Sequence, residues 1–394
     1  MSLPRLQIND RADKRLRNGH LWLYSNEVDN TATPLKQFSA GEQVRLENAK
    51  GKFIALATVN PQTLICARIF NREEHALDKS LLVHRLNQAL ALRERFYSRP
   101  FYRLVYAEGD YLPGLVVDRF GDYLSVQITS AGMERMKPAI IDALQQVLKP
   151  AGILFRHDAS SREQEGLDKA TNEIIGNIPE TVELIENNTH FRVSLREGQK
   201  TGWFYDHRQN RHYLQALSKN KSVLDVFSYV GGWGIQALQA GASEATLIDS
   251  SASALDLAHH NARLNDCDNK LTCLEGSALE AMKALIEDKR KFDIVVMDPP
   301  AFIKRKKDLK KGEKAYHHYN QMALRLLKRD GLLVSASCSM HMKRNMLQDV
   351  VRTAGRHIDR QLQLIYQGGQ GPDHPIHPAI EETDYLKAFI YRSL

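Results

Sequence analysis

The 394 residues suffice for two or three domains, and 43% hydrophobic with 26% charged residues is the balance of a globular chain with a sizeable core. The 54 Lys and Arg against 47 Asp and Glu leave a net charge of +7, which permits a polyanionic partner without demanding one. No run approaches the ~20 apolar residues of a membrane span and no signal-peptide core opens the chain; four cysteines without C-x-x-C spacing suggest no metal site and no disulfide framework, so a cytoplasmic protein with reduced thiols is expected.

Residues 1–73 are expected to form a small β-barrel. Short strands are read in "HLWLYSNEV", "EQVRLENAKGKFIALATV" and "LICARIF", punctuated by Asn48, Lys50-Gly51 and Asn60-Pro61. The segment "RADKRLRNGHLW" sets a basic cluster beside an aromatic. Residues 74–182 read as a central mixed α/β domain. A helical stretch over 78–96 carries the apolar residues Leu81, Leu82, Leu86, Leu90 and Leu92 with bases between them. Two strands in "LPGLVVDRFGDYLSVQIT" break at Phe120-Gly121-Asp122, and a helix over 134–148 precedes "GILFRHD".

A hairpin, "ELIENNTHFRVSL", opens a last domain over 183–394. From 221 onward apolar strands alternate with helices, which implies a doubly wound, mainly parallel α/β sheet. In such sheets ligands sit beyond the carboxyl ends of the strands, and Asp225, Asp249, Asp298 and Cys338 each fall at such an end.

The glycine loop "LDVFSYVGGWG" is not a dinucleotide fingerprint. Phe227 and Ser228 stand where a pyrophosphate would need glycines, and Gly231 and Gly232 come late. A nucleoside without a diphosphate fits better, and S-adenosylmethionine is the common one. Asp249, at the end of the next strand, is placed to accept from ribose hydroxyls, with Ser250 beside it. In "GQKTGWFYDHRQNR", Lys200 or Arg208 could pair with a cofactor carboxylate, and Thr201 lies between them. A lysine-rich loop, "KRKKDLKKGEK", follows "DPPAF" and suggests RNA or DNA contact.

The combination of "GQKTGWFYDHR", "DVFSYVGGWG", "VVMDPPAF", "SASCS", "DHPIHPAIEETDYLKAF" and "LPGLVVDRFGDYL" resembles the RlmI-type large-subunit rRNA methyltransferases over essentially the full length. The resemblance implies a class I S-adenosylmethionine fold with an N-terminal PUA domain, and methylation of cytosine carbon 5 in 23S rRNA. It leaves a homodimer open. One departure concerns the adenine: the acid usual after the third strand is replaced by "EGSA", so Ser277 or Glu275 would serve there.

Carbon 5 of cytosine is a poor nucleophile, so Cys338 is the expected covalent catalyst, adding to carbon 6. Asp298 would hold ring nitrogen 3, with burial raising its pKa. Pro299 and Pro300 form a rigid lip, Phe302 could stack on the base, and Lys304 could reach the RNA. Lys343, Arg344 or the Lys304–Lys307 run would lower the thiol pKa. A cysteine at a buried strand end is ordinarily a small core residue, and Cys66, Cys267 and Cys273 are read that way. His341 is a candidate for the base that removes the carbon 5 proton. Two alternatives compete: amino-group or ring-nitrogen methylation through "DPPAF" without a thiol, and a non-catalytic RNA-binding assembly factor. A small-molecule methyltransferase would leave the barrel and basic clusters without a purpose.

Overall fold

The computed structural model describes residues 3–159, 161–168, 171–198 and 201–394. The chain forms two compact units. One holds residues up to Val182 together with Ser194–Tyr205 and Pro372–Thr383; the other holds Glu183–Val193, Asp206–Gly371 and Asp384–Leu394. The change of unit at 182–183 falls where the hairpin was expected to open the last domain. Two segments beyond that point, 194–205 and 372–383, nevertheless belong to the first unit.

The first unit contains two sheets. Strands β1 (Arg5–Gln7), β2 (Trp22–Tyr24), β3 (Glu42–Glu47), β4 (Phe53–Val59) and β5 (Ile65–Asn71) are ordered β1-β3-β4-β5-β2. An antiparallel bridge between Ile8 and Val28, just past the two edge strands, brings the edges together as a barrel requires. The stretch read only as a basic cluster is an amphipathic helix, Asp10–Arg17, capped by Asn9 and burying Ala12 and Leu16. The second sheet orders β6 (Phe101–Tyr106), β7 (Leu115–Phe120), β8 (Tyr123–Ile128), β9 (Gly152–Arg156) and β10 (Glu173–Gly176) as β10-β9-β8-β7-β6. The helices Lys79–Phe96 and Lys137–Leu148 pack on it through Leu82, Leu86, Ile140 and Leu144.

In the second unit β11 (Val182–Glu186) and β12 (Thr189–Val193) turn at Asn187-Asn188. Both turn residues have positive φ, as a type I′ hairpin requires. The main sheet then takes β13 (Ser222–Val226), β14 (Glu244–Asp249), β15 (Leu271–Glu275), β16 (Phe292–Met297), β17 (Leu327–Ser337), β18 (Leu362–Gly368) and β19 (Lys387–Ser393). Their order is β15-β14-β13-β16-β17-β19-β18, parallel except for β19, which runs against both neighbours. The order reverses at β13, with β14 on one side and β16 on the other, and that is the switch point where α/β sheets bind ligands. Strand β17 lies between β16 and β19 and buries Val334, Ser335, Ala336 and Ser337 completely, which explains its apolar and small-residue run.

The lysine-rich run is a loop only at its start. From Leu309 it is the first half of an 18-residue helix, Leu309–Leu326, because Lys and Glu are good helix formers. Its one glycine, Gly312, lies against the preceding turn: a Cβ there would stand 2.1 Å from Ile303 Cγ1 and 3.3 Å from the Phe302 carbonyl. Among the described residues no helix is long and apolar enough to cross a membrane.

Gly312→Ala should therefore destabilise the protein. Helix propensity would gain about 1 kcal/mol, but overpacking against Ile303 costs about 1–3 kcal/mol, a net loss of up to about 2 kcal/mol. Urea denaturation measures the difference, and a variant as stable as the parent would contradict the close approach.

Candidate active site

The carboxyl ends of five parallel strands carry the candidate residues, and strand register fixes their levels. Asp225 in β13 is paired with Leu247 of β14 and Val296 of β16. Asp249 ends β14 opposite Glu275 of β15. Asp298 follows β16, whose last residue Met297 pairs with Ser335 of β17. Cys338 follows β17 and so stands about 7 Å further along the strand direction than the level of Asp298, one strand over.

The two serines flanking Cys338 have a purpose that burial reveals. Ser337 Oγ donates to the Tyr316 hydroxyl at 2.8 Å, which lies 2.9 Å from Ser339 Oγ. Ser339 Oγ also accepts from the Ile303 backbone N–H at 3.2 Å. Three buried hydroxyls thus tie the "DPPAFI" turn to the "SASCS" strand end, and burial pushes the Tyr316 phenol up to about 12, so it stays neutral. Cys338 is half-buried between these anchors. Phe302 is not an open platform: it stacks on Tyr319 with ring centroids 5.4 Å apart and packs against Tyr316 and Phe227.

Asp298 departs from expectation. Burial alone would raise its carboxyl, but the His207 ring and hydrogen bonds from His207 and Trp233 outweigh it and hold the group below the ordinary carboxylate value. His207 Nε2 lies 3.2 Å from Oδ1, and Trp233 Nε1 donates to Oδ2 at 3.1 Å. The His207 tautomer follows from its neighbours. Tyr366 donates to Asn210 Oδ1 at 3.2 Å, and Asn210 Nδ2 donates to the Gly369 carbonyl at 2.9 Å and faces His207 Nδ1 at 3.2 Å. That leaves Nδ1 as acceptor and Nε2 as the donor facing Asp298. Sequence reading quoted His207 inside "GWFYDHR" but gave it no role; the signal was a histidine at the start of a helix leading into the sheet.

The loop after β13 fits S-adenosylmethionine on two observations. Asp225 is fully buried, its Oδ2 accepts from Gly234 N–H at 3.0 Å, and its Oδ1 has no partner among the described residues. Burial, with Asp298 and Asp249 nearby, pushes it up to about 7. Ser228 Oγ is likewise buried and unpartnered. Orphaned polar atoms in a loop at the switch point fit a polar ligand. Phe227 and Tyr229 sit at positive φ, and Gly231 (φ 83°) has Ile235 Cδ1 2.6 Å from where a Cβ would be. Gly231 is thus required by the turn's own packing, and Gly232 is buried beside it. Asp249 accepts one backbone N–H on each oxygen, from Tyr229 at 2.8 Å and Ser251 at 3.0 Å. This fixes the carboxylate and leaves each oxygen a second lone pair for a ribose hydroxyl. Ser250 and Ser277 are exposed, and Ser277 makes no capping bond to the helix it precedes.

Other expectations are corrected. Arg208 pairs with buried Glu186, Nε to Oε2 at 3.3 Å, and Arg211 takes the other oxygen at 2.7 Å. Thr201 is buried in the first unit, where its hydroxyl bonds Asp118. Lys200 lies outside the described residues. Pro299 is buried and Pro300 exposed, Lys304 and Lys343 are exposed, and His341 is half-buried. Arg344 bonds the Gly368 carbonyl at 2.8 Å and reaches Asp384. A cation not anticipated from the sequence, Lys387 on β19, has its charge favoured by Cys338. Burial pushes Cys66 up to about 12 and Cys267 and Cys273 up to about 11, as for inert core thiols. Among the described residues no group of three His, Cys, Asp or Glu side chains could hold a metal ion.

Comparison with known proteins agrees with this geometry. Residues 140–379 match the family described as S-adenosylmethionine-dependent methyltransferase, and residues 6–72 match the PUA-like domain. The chain is 36% identical to "Ribosomal RNA large subunit methyltransferase I" of Tolumonas auensis, covering 97% of each chain. It is 36% identical to the protein of that name from Aliivibrio fischeri, covering 96% of this chain and 97% of the relative. A solved chain assigned as a methyltransferase, SMU.776 complexed with SAH, superposes with a TM-score of 0.85 at 20% identity, over 99% of this chain and all of the other. A glycine loop with orphaned polar atoms, a ribose-ready acid and full-length identity converge: the chain belongs to the ribosomal RNA large subunit methyltransferase I family of S-adenosylmethionine-dependent methyltransferases.

Proposed function

We propose that this protein methylates carbon 5 of a cytosine in large-subunit (23S) rRNA through a covalent adduct on Cys338. The observation that carries the reading is that Asp298 and Cys338 follow the adjacent strands β16 and β17, whose ends the Tyr316, Ser337 and Ser339 hydroxyls tie together. The names of the relatives support rRNA as the substrate. The PUA-like segment, within residues 1–73, presents Arg11, Lys14 and Arg15 around an open hollow suited to phosphate. In this reading residues 74–182 are a central α/β domain and 183–394 the catalytic domain.

Bound S-adenosylmethionine supplies an electrophilic methyl group on sulfonium. Asp225, Ser228 and the Phe227–Gly232 turn would hold it, with Asp249 on the ribose and Ser277 or Glu275 near the adenine. Cys338 Sγ forms a bond to carbon 6, and the carbon 5–carbon 6 π pair becomes the nucleophile at carbon 5. Ring nitrogen 3 takes a proton from solvent as the adduct forms and returns it to solvent when the thiolate leaves. Asp298, kept ionised by His207 and Trp233, accepts from that N–H and from the exocyclic amine. Loss of the carbon 5 proton to a base then restores the double bond and expels the thiolate. The base must leave its stack to reach these groups. The same ionised Asp298 beside Pro299-Pro300 also favours a second reading, in which it accepts from an exocyclic amine that is itself methylated and no thiol is needed.

Tritium distinguishes the readings. With rRNA carrying tritium at cytosine carbon 5, the wild-type enzyme should release label into water with each methyl transferred. Cys338→Ala should lower that release by at least about 10³-fold while S-adenosylmethionine affinity by calorimetry stays within about twofold. Methyl transfer without tritium release, undiminished in Cys338→Ala, would establish the amine chemistry.

Asp225 gives a pH-dependent prediction. Its folded-state pKa, about 7, exceeds the ordinary carboxyl value, so folding takes up a proton between about pH 4 and 7. Its contribution is therefore present at acid pH and lost as pH rises through 7. Asp225→Asn should gain stability relative to wild type across that window, by at most about 4 kcal/mol, and lose cofactor affinity. Thermal melts of the cofactor-free proteins from pH 4 to 8 test this; parallel curves would contradict a buried, proton-binding Asp225.

A further inference from the structure

Lys387 is a lysine in a place where the fold has no need of one. It stands on β19 directly opposite Ser337 of β17, is 3% exposed, and sits among Ala388, Phe389 and Ile390, all buried. Its ammonium donates to the Ser339 carbonyl at 2.7 Å and to the Tyr385 carbonyl at 2.7 Å. The residue between Ser337 and Ser339 is Cys338. A buried cation costs several kcal/mol unless an anion answers it, and carbonyl dipoles answer it only in part. Asp384 is a carboxylate that favours its charge, but it also meets Arg344 at 3.4 Å. Tyr316, on the facing helix, is held neutral by burial.

Resting on the Cys338 reading above, we propose that Lys387 is a positioning residue whose buried ammonium holds the Cys338 backbone turn and stabilises its thiolate for attack. The groups that face Lys387 are Cys338 and Asp384, which favour its charge, and Arg344, which opposes it. Burial pulls the lysine down to about 8, so the ammonium is present at neutral pH and fades above it. An ammonium charged at neutral pH thus stands beside the turn that bears Cys338, where it would favour the thiolate over the thiol.

The test reads the sulfur directly and needs neither RNA nor cofactor. Full-length wild-type protein and Lys387→Met are treated with iodoacetamide from pH 6 to 10, and alkylation of the Cys338 peptide is followed by mass spectrometry. The other three cysteines, with raised pKa values, react slowly and serve as internal controls. In Lys387→Met the Cys338 midpoint should move up by about one pH unit or more, with alkylation at pH 7 slowed about tenfold. Lys387→Arg, which keeps the charge, should stay near wild type. If Lys387→Met fails to fold, Lys387→Gln, which can still donate to a carbonyl, gives the same comparison. A neutral variant that folds and titrates like wild type overturns the lysine's role and leaves the tritium experiment untouched. Tritium release that is independent of Cys338 overturns the catalytic reading and leaves the thiol titration standing.

Discussion

Three buried hydroxyls and one backbone N–H hold the turn after β16 against the end of β17, where the proposed chemistry is placed. Tyr316 from one helix, Ser337 and Ser339 from the end of β17 and Ile303 from the turn after β16 form a closed set of hydrogen bonds. Each bond contributes about 1 kcal/mol net, but leaving any of these groups unpaired in the interior would cost about 1–3 kcal/mol. The set therefore has two states, complete or broken. Complete, it fixes the turn bearing Asp298 and the strand end bearing Cys338 in one register. Gly312 serves the same end by letting its helix close on Ile303.

Around those two strand ends, electrostatics sets a fully buried acid and a half-buried one apart. Asp225 has one N–H donor and two acidic neighbours, so burial wins and its pKa rises. Asp298 has His207 on one oxygen and Trp233 on the other, so its partners win and its pKa falls. Both follow one rule, the cost of a buried charge weighed against the donors that meet it. The result is an acid that binds a proton near neutrality beside the cofactor loop, and a carboxylate kept as an acceptor near the thiol.

Much of the second unit was legible in the chain itself. Alternating apolar strands and helices located the parallel sheet, and Asp225, Asp249, Asp298 and Cys338 do lie at or just past the carboxyl ends of its strands. Where the reading departed from the structure, the causes are contacts between residues distant in sequence. Burial of Asp298 argued for a raised pKa because His207 and Trp233 could not be known to converge on it. Arg208 looked available to a cofactor carboxylate because Glu186 belongs to a hairpin that precedes it. The stretch "GQKTGWFYDHRQNR" is continuous in sequence, yet Thr201 and Arg208 belong to different units. Lys387 passed unnoticed because only the antiparallel pairing of β19 with β17 brings it opposite Ser337. The lysine run was read as a loop from its charge, although its composition is that of a helix.

The proposed chemistry requires that the Cys338 sulfur, and no other side chain, bonds to the pyrimidine. Ribosomal RNA containing 5-fluorocytidine tests it most directly, because fluorine at carbon 5 cannot leave as a proton and the adduct persists. With S-adenosylmethionine present, the account predicts a stable protein–RNA complex whose cross-linked peptide contains Cys338, and no complex with Cys338→Ala. Absence of a complex under conditions that methylate ordinary RNA, or a cross-link mapped to another residue, would contradict it.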